Sequence, residues 1–267
     1  MNNTDSINED KIVLKVYREN RGQKSGAHYD RFEVPYKKWT TVLDALLYVK
    51  SYNDPSIAIR YSCRMAMCGS CGMKINGIPR LACYTKISEL ETSTIECEPL
   101  SNFPIIRDLV TDFSLFFNHH KDIQPYIQSN EGVETDTEKK TFSFYQSPED
   151  VDRYLQFSYC IKCGLCNSAC PTAGTDLRFP GPQALAQLYR YYADTRDESK
   201  KRLDIVDDRH GIWRCHFAGS CSKVCPKGVD PALGIQLLRS YMLGISKDNK
   251  ELAKKIEINT DKDNNSN

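Results

Sequence analysis

No excess of either charge runs through this 267-residue chain: 36 lysines and arginines stand against 35 aspartates and glutamates, a net charge of +1. That balance gives no electrostatic case for nucleic-acid binding. Long apolar runs are missing as well, and none approaches the roughly 20 residues needed to cross a bilayer. The opening Met-Asn-Asn-Thr-Asp-Ser-Ile-Asn-Glu-Asp has no apolar core of a secretory signal. It also lacks the arginine-rich, acid-poor character of a transit peptide, so the chain by itself is expected to be soluble and cytoplasmic. No G-x-G-x-x-G offers a flavin or nicotinamide site, no G-x-S-x-G a nucleophile elbow, and no H-E-x-x-H a zinc protease site. No catalytic residue is therefore expected in this chain.

What the sequence does have is twelve cysteines, eleven of them in spaced groups. Cys160-Ile-Lys-Cys163-Gly-Leu-Cys166-Asn-Ser-Ala-Cys170-Pro171 matches the bacterial ferredoxin pattern, in which three thiolates hold one cubane cluster and the fourth reaches another. A second copy, Cys215-His-Phe-Ala218-Gly-Ser-Cys221-Ser-Lys-Val-Cys225-Pro226, has Ala218 where a cysteine is expected. Exchanging the fourth cysteines assigns Cys160, Cys163, Cys166 and Cys225 to a 4Fe–4S cluster. Cys170, Cys215 and Cys221 remain for a 3Fe–4S cluster. Upstream, Cys63-Arg-Met-Ala-Met-Cys68-Gly-Ser-Cys71 opens the plant-type 2Fe–2S spacing. Its fourth ligand, Cys83, comes from a short hairpin instead of lying much farther along the chain. Gly69, Ser70 and Gly72 are expected to let the backbone approach the cluster sulfurs.

Around these groups, Ile12, Leu14 and Val16, then Phe32, Val34 and Tyr36, alternate as two strands of a hairpin. Thr41-Val-Leu-Asp44 reads as a capping box opening a helix that buries Val42, Leu46 and Val49. Met73 and Ile75, an Asn76-Gly77 turn and Ile78 to Cys83 form a second hairpin, with a further strand over Thr92 to Cys97. Helical spacing in Ile106, Leu109, Val110, Phe113 and Phe117 predicts a helix from Ile105 to about Gln128, followed by an exposed polar connector to Pro148. Pro182 begins a helix, and a charged turn from Asp194 to Lys201 leads into another. Asp230-Pro231 caps a last helix ending near Gly244. Residues 1 to about 10 and 246–267 are expected to be disordered or frayed.

Zinc also takes C-x-x-C pairs, but it explains neither the Cys-Pro endings nor the reciprocal exchange. Cys97 belongs to no group and reads as a small buried core residue. His28, His119, His120 and His210 read as solvated or capping residues. His216 follows a cluster cysteine, where a hydrogen bond supporting the ligand and a substrate contact are both open. Several redox clusters without a site for organic chemistry describe an electron wire, whose donor and acceptor are other chains.

Over residues 10 to 245 the chain resembles the iron-sulfur subunits of succinate dehydrogenase and fumarate reductase. The resemblance is carried by Cys-Arg-Met-Ala-Met-Cys-Gly-Ser-Cys-Gly, Cys-Ile-Lys-Cys-Gly-Leu-Cys, Ser147-Pro148-Glu149-Asp150 and Val224-Cys-Pro-Lys-Gly. It implies an α+β chain: a beta-grasp 2Fe–2S ferredoxin-like domain over 10–115, a connector over 116–148, and an all-helical bacterial-ferredoxin-like domain over 149–246 holding the 4Fe–4S and 3Fe–4S clusters. It further implies a flavoprotein (FAD) subunit that oxidises succinate, a membrane anchor and quinone, with this chain peripheral on the cytoplasmic face of the plasma membrane. Pro171 and His216 match positions bordering the quinone. Many ubiquinone-using members carry tryptophans after the Cys-Pro, where this chain has Thr172-Ala-Gly-Thr175. That stretch and Gly211-Ile-Trp213 are nearer to fumarate reductases, although Trp213 also reads as core. A fumarate reductase subunit, or an electron-carrying module of another flavoenzyme, stays an alternative.

Overall fold

The computed structural model describes residues 10–19, 26–128 and 146–245. Most of the expected N-terminal and C-terminal disordered segments and of the expected connector lies outside them. The described residues form two compact units. The first runs to Leu115 and also takes in Ile161–Ala169; the second comprises the described residues of Phe116–Cys160 and those from Cys170 on.

In the first unit, β1 (Asp10–Arg18) turns Ile12, Leu14 and Val16 into the core and pairs antiparallel with β2 (His28–Tyr36), Ile12 opposite Val34. Of the apolar residues expected to alternate in β2, only Val34 is fully buried. Strands β3 (Gly72–Ile75) and β4 (Ile78–Leu81) form the second hairpin. Asn76 (φ 49°) and Gly77 (φ 77°) supply the two left-handed residues its two-residue turn requires. Strand β5 (Thr94–Glu98) completes the sheet in the order β2-β1-β5-β3-β4, parallel to β1 and antiparallel to β3. Helix Val42–Tyr52 buries Val42, Leu46 and Val49. Its capping box is present, Thr41 Oγ1 accepting from the Asp44 amide at 3.2 Å and Asp44 Oδ2 from the Thr41 amide at 3.0 Å. Each fully buried aliphatic side chain contributes about 1.5–3 kcal/mol.

The helix expected from Ile105 to about Gln128 spans only Ser114–Asp122. Before it, β6 (Ile105–Arg107) and β7 (Val110–Thr111) pair as a small hairpin. Asp108 explains the difference, since its left-handed backbone (φ 47°) breaks a helix. Its buried carboxylate accepts from the amides of Ala58 (2.8 Å) and Glu19 (3.2 Å) and from Arg18 Nε (3.2 Å). Those tertiary bonds outweigh the apolar spacing. The helix begins where Asp112 Oδ1 accepts from the Ser114 amide at 2.8 Å.

The second unit is built on helices Gly181–Tyr192 and Pro231–Met242 around Phe157, Leu185, Leu188, Ile212, Ile235 and Leu238. Gly234 lets them approach: a Cβ there would stand 2.9 Å from the Phe157 ring and 3.4 Å from Ala186 Cα. Asp230 caps the last helix through the Leu233 amide at 2.9 Å, with Pro231 behind it, and Gly244 (φ 67°) follows its end. No helix forms after Lys201; the segment has 3-10 turns at Lys200–Arg202 and Ile212–Arg214. Arg202 is fully buried and prevents a helix by being committed elsewhere. Its guanidinium donates to both oxygens of buried Asp197 (2.7 and 3.1 Å) and to the carbonyls of Ile123, Gln124 and Tyr126. Trp213 is not core: it is 40% exposed, and its Nε1–H donates to Asp207 Oδ1 at 2.7 Å. Among the described residues no helix is long and apolar enough to cross a membrane.

Candidate metal centres

The first group, Cys63, Cys68, Cys71 and Cys83, lies in the first unit on the loop before β3 and in the turn after β4. Backbone amides are turned onto its sulfurs. Cys63 Sγ accepts from Met65 (3.4 Å), Met67 (3.3 Å) and Cys68 (3.3 Å), Cys68 Sγ from Cys63 (3.5 Å), Cys71 Sγ from Cys83 (3.4 Å) and Cys83 Sγ from Ala66 (3.3 Å). Residues 65–67 thus tie the pair 63/68 to the pair 71/83. The conformation that does this is costly: Arg64 and Ala66 both sit at φ 57°, where a side chain loses about 1–2 kcal/mol. Amides aimed at sulfur stabilise thiolate and help set a cluster's potential. The Ser70 hydroxyl and nearby amides draw the Cys68 thiol down, while burial pushes Cys71 up.

Gly69 and Gly72 also stand where a second segment of the chain comes close. A Cβ on Gly69 would meet Cys163 Cβ at 2.8 Å, and one on Gly72 would meet the Cys163 carbonyl and Leu165 at 3.3 Å. The room they make is for the segment Ile161–Ala169.

The two Cys-Pro motifs share a backbone 55 residues apart. Lys162 (φ 53°) corresponds to Phe217 (φ 55°), Gly164 (φ 79°) to Gly219 (φ 71°), and the helical turn Leu165–Ser168 to Ser220–Lys223. The same step carries Cys163 onto Ala218. Cys163 and Cys166 belong to the first unit; Cys160 and Cys225 belong to the second and pack against its helical core. Cys170, Cys215 and Cys221, also in the second unit, line one cavity together with Pro171, His216 and Ala218. Amides of Ala173 and Phe217 donate to Cys170 Sγ (3.5 Å) and Cys215 Sγ (3.4 Å), and burial pushes the Cys170 and Cys221 thiols up.

Among the described residues no three cysteine, histidine, aspartate or glutamate side chains converge on a single ion. A tetrahedral zinc site needs such convergence, with sulfur about 2.3 Å from the metal. Cys63, Cys68, Cys71 and Cys83 with backbone amides on their sulfurs, and Cys170, Cys215 and Cys221 on one cavity, fit multi-iron clusters by their donor chemistry.

Cys97 is fully buried in β5, where burial pushes its thiol up to about 12. His210 is not merely solvated: its Nδ1 lies 2.7 Å from Asp176 Oδ2, and Arg209 Nε–H donates to its Nε2 at 2.9 Å. His120 Nδ1 is 3.2 Å from Gln183 Nε2, and burial lowers His119. No residue-type pattern signals these partners, nor the left-handed Arg64, Ala66, Lys162 and Phe217.

Two folds with cysteine-rich loops and amide-lined thiols define an iron-sulfur electron carrier, and the comparisons agree. A 2Fe-2S iron-sulfur cluster binding domain matches residues 13–118 and a 4Fe-4S dicluster domain residues 156–229. The chain is 44% identical over 229 residues to the fumarate reductase iron-sulfur subunit of Haemophilus influenzae, covering 83% of this chain and 89% of that one. It is 35% identical over 240 residues to the mitochondrial succinate dehydrogenase [ubiquinone] iron-sulfur subunit of Dictyostelium discoideum, covering 87% and 82%. A chain of the Mycobacterium smegmatis Sdh1 complex in the apo form superposes with a TM-score of 0.78 at 26% identity, over 87% of this chain and 95% of that one. The protein belongs to the family of iron-sulfur subunits of fumarate reductase and succinate dehydrogenase, with a beta-grasp ferredoxin-like N-terminal fold and a helical ferredoxin-like C-terminal fold.

Proposed function

We propose that this chain carries electrons from a flavoprotein subunit that oxidises succinate to fumarate, through 2Fe–2S, 4Fe–4S and 3Fe–4S clusters in turn, to quinone beside a membrane anchor on the cytoplasmic face. When bound, the clusters supply one-electron redox centres whose potentials depend on type, charge and hydrogen bonds to sulfur. The chain's own residues do the rest. Cys63, Cys68, Cys71 and Cys83 would hold the first cluster, with amides of residues 65–67 biasing its charge. Cys160, Cys163, Cys166 and Cys225 would hold the second.

The observation that carries the reading is the shared backbone of the two motifs, which supports Ala218 as the counterpart of Cys163. An alanine methyl has no lone pair for iron. Three thiols on the Ala218 cavity therefore favour a 3Fe–4S cluster held by Cys170, Cys215 and Cys221. Pro171 and His216 on the same cavity support a quinone position next to that cluster. Exposed Tyr61, Met65, Met67 and Tyr84 around the first group offer apolar surface to the flavoprotein, and exposed Leu177, Trp213 and Phe217 offer it to the anchor.

A second reading, fumarate reduction through the same chain, is favoured by the name of the 44%-identical relative and by Thr172-Ala-Gly-Thr175 in place of tryptophans. The cluster reading is tested by spectroscopy of the anaerobically purified complex, which should show a reduced 2Fe–2S and an oxidised 3Fe–4S signal. Stoichiometric zinc, or about four irons per chain, would sink it. The isolated chain should not oxidise succinate with an artificial acceptor. Potentials measured against the native quinone decide the direction.

A further inference from the structure

The segment Ile161–Ala169 carries Cys163 and Cys166, and three separate contacts make it part of the first unit. The Asn102 side-chain amide donates to the carbonyls of Asn167 (2.8 Å) and Ser168 (3.2 Å). Gly164 is seated on the stacked rings of Phe103 and Phe113, 4.5 Å between centroids, so closely that a Cβ would stand 2.7 Å from Phe113. The third contact is with the 2Fe–2S loop itself. A Cβ on Gly69 would lie 2.8 Å from Cys163 Cβ and 2.9 Å from its Cα; one on Gly72 would lie 3.3 Å from the Cys163 carbonyl.

These glycines are not explained by conformation alone. Gly69 is left-handed (φ 74°), a region that asparagine and aspartate also enter, yet the approach of Cys163 leaves no space for any side chain. Gly72 has no left-handed backbone to require glycine, and the atoms its missing side chain makes room for are Cys163 O, Leu165 and Gly69 O. Gly77, by contrast, is left-handed (φ 77°) with nothing within 4 Å of an added Cβ.

We propose that Gly69 and Gly72 are positioning residues for electron transfer between the first two clusters: by bringing the Cys68–Cys71 loop into backbone contact with Cys163, they set the closest approach of the two ligand loops. The inference rests on the cluster assignment above. With both clusters bound, one electron would cross there, oxidising the 2Fe–2S side and reducing the 4Fe–4S side, with no bond broken and no proton moved. Tunnelling falls steeply with distance, so a side chain wedged at this contact slows the step without removing a ligand.

The test uses the purified complex carrying Gly69→Ala, Gly72→Ala or, as control for left-handed strain, Gly77→Ala. Two quantities are read: iron per chain, and the microwave-power saturation of the reduced 2Fe–2S signal while the neighbouring cluster is reduced and paramagnetic. Gly69→Ala should keep its iron and 2Fe–2S intensity but show a clearly weaker relaxation enhancement, and Gly72→Ala, whose Cβ would stand 3.3 Å from its nearest neighbours, a smaller weakening in the same direction. Gly77→Ala should keep it. Wild-type saturation in both contact variants, with full iron, overturns the proposal, and so does an equal loss in Gly77→Ala. If Gly69→Ala loses its 2Fe–2S signal outright, Gly72→Ala decides by the same criterion. A wild-type complex with a 2Fe–2S signal and none from a second cluster would instead overturn the cluster assignment.

Discussion

Replacing Ala218 by cysteine adds one sulfur at the position that corresponds, 55 residues on, to Cys163 (163 to 218). The backbone needs no adjustment, because Ala218 lies outside the left-handed region that its neighbours Phe217 and Gly219 occupy. The side chain is exposed on the rim of the cavity that Cys170, Cys215 and Cys221 line. A change at such a site costs within about 0.5 kcal/mol of stability, so the chain should fold as before. Four thiols then face the cavity where three did, and the cluster should gain about one iron atom per chain. The oxidised 3Fe–4S signal should vanish while the 2Fe–2S signal keeps its intensity. Because potential follows cluster type and net charge, quinone reduction should slow more than reduction of an artificial dye by succinate. Iron and sulfide analysis, spectroscopy of the oxidised complex and the paired assays measure each part. A variant that folds, keeps its 2Fe–2S signal and retains the 3Fe–4S signal at full strength would refute either the facing of position 218 or the exchange of fourth cysteines.

Cys97→Ala should leave iron per chain unchanged, since that thiol is sealed in β5; loss of any cluster would make it a ligand. Its raised value also means that the neutral thiol stabilises the fold below about pH 9, a contribution that declines as pH rises toward about 12, visible as a falling melting temperature absent from the alanine variant. Arg202→Met strands the buried Asp197 carboxylate and three carbonyls, and should cost about 3–5 kcal/mol in denaturant unfolding of the full chain. A loss below about 1 kcal/mol would contradict the clamp. The Ser56 hydroxyl and the Arg18 guanidinium hold the Asp54 carboxyl down from 3.8 to about 2. Its stabilisation is complete above about pH 4 and is lost as pH falls through 2, no more than about 1 kcal/mol after solvent screening, so Asp54→Asn should flatten the acid limb of the stability curve.

The parts legible in the sequence are those set by short-range chemistry. Alternation in β1, the Thr41–Asp44 box, the Asn76-Gly77 turn, the Asp230-Pro231 cap and the cysteine spacings each need only a few neighbouring residues. What was not legible depends on distant partners. The apolar spacing of Ile106, Leu109 and Val110 serves a hairpin because Asp108 is claimed by Ala58, Glu19 and Arg18, none of them near it in sequence. The expected helix after Lys201 is replaced by 3-10 turns because Arg202 is claimed by carbonyls almost 80 positions upstream. At the candidate site the cysteine spacing is legible, but the amides turned onto the sulfurs rest on Arg64 and Ala66 in a conformation neither residue type prefers. Gly69 and Gly72 announced a close approach; what approaches them lay hidden in a motif ninety residues away.

That motif has a bearing on biosynthesis. The first unit is interrupted in the chain: its strands and the 2Fe–2S loop end by Leu115, and its last piece is Ile161–Ala169. At roughly 5–20 residues per second, the 45 residues between, 116–160, take the ribosome several seconds. Throughout that interval the face bearing Gly69 and Gly72 has nothing yet to receive, and Phe103 and Phe113 lack the glycine that seats on them. Bringing the two pieces together across so long a separation costs little more entropy than across a short one, since the cost grows only with the logarithm of length. The delay is therefore one of translation, and it leaves the loop of Cys63, Cys68 and Cys71 made and uncovered before Cys160, Cys163 and Cys166 emerge.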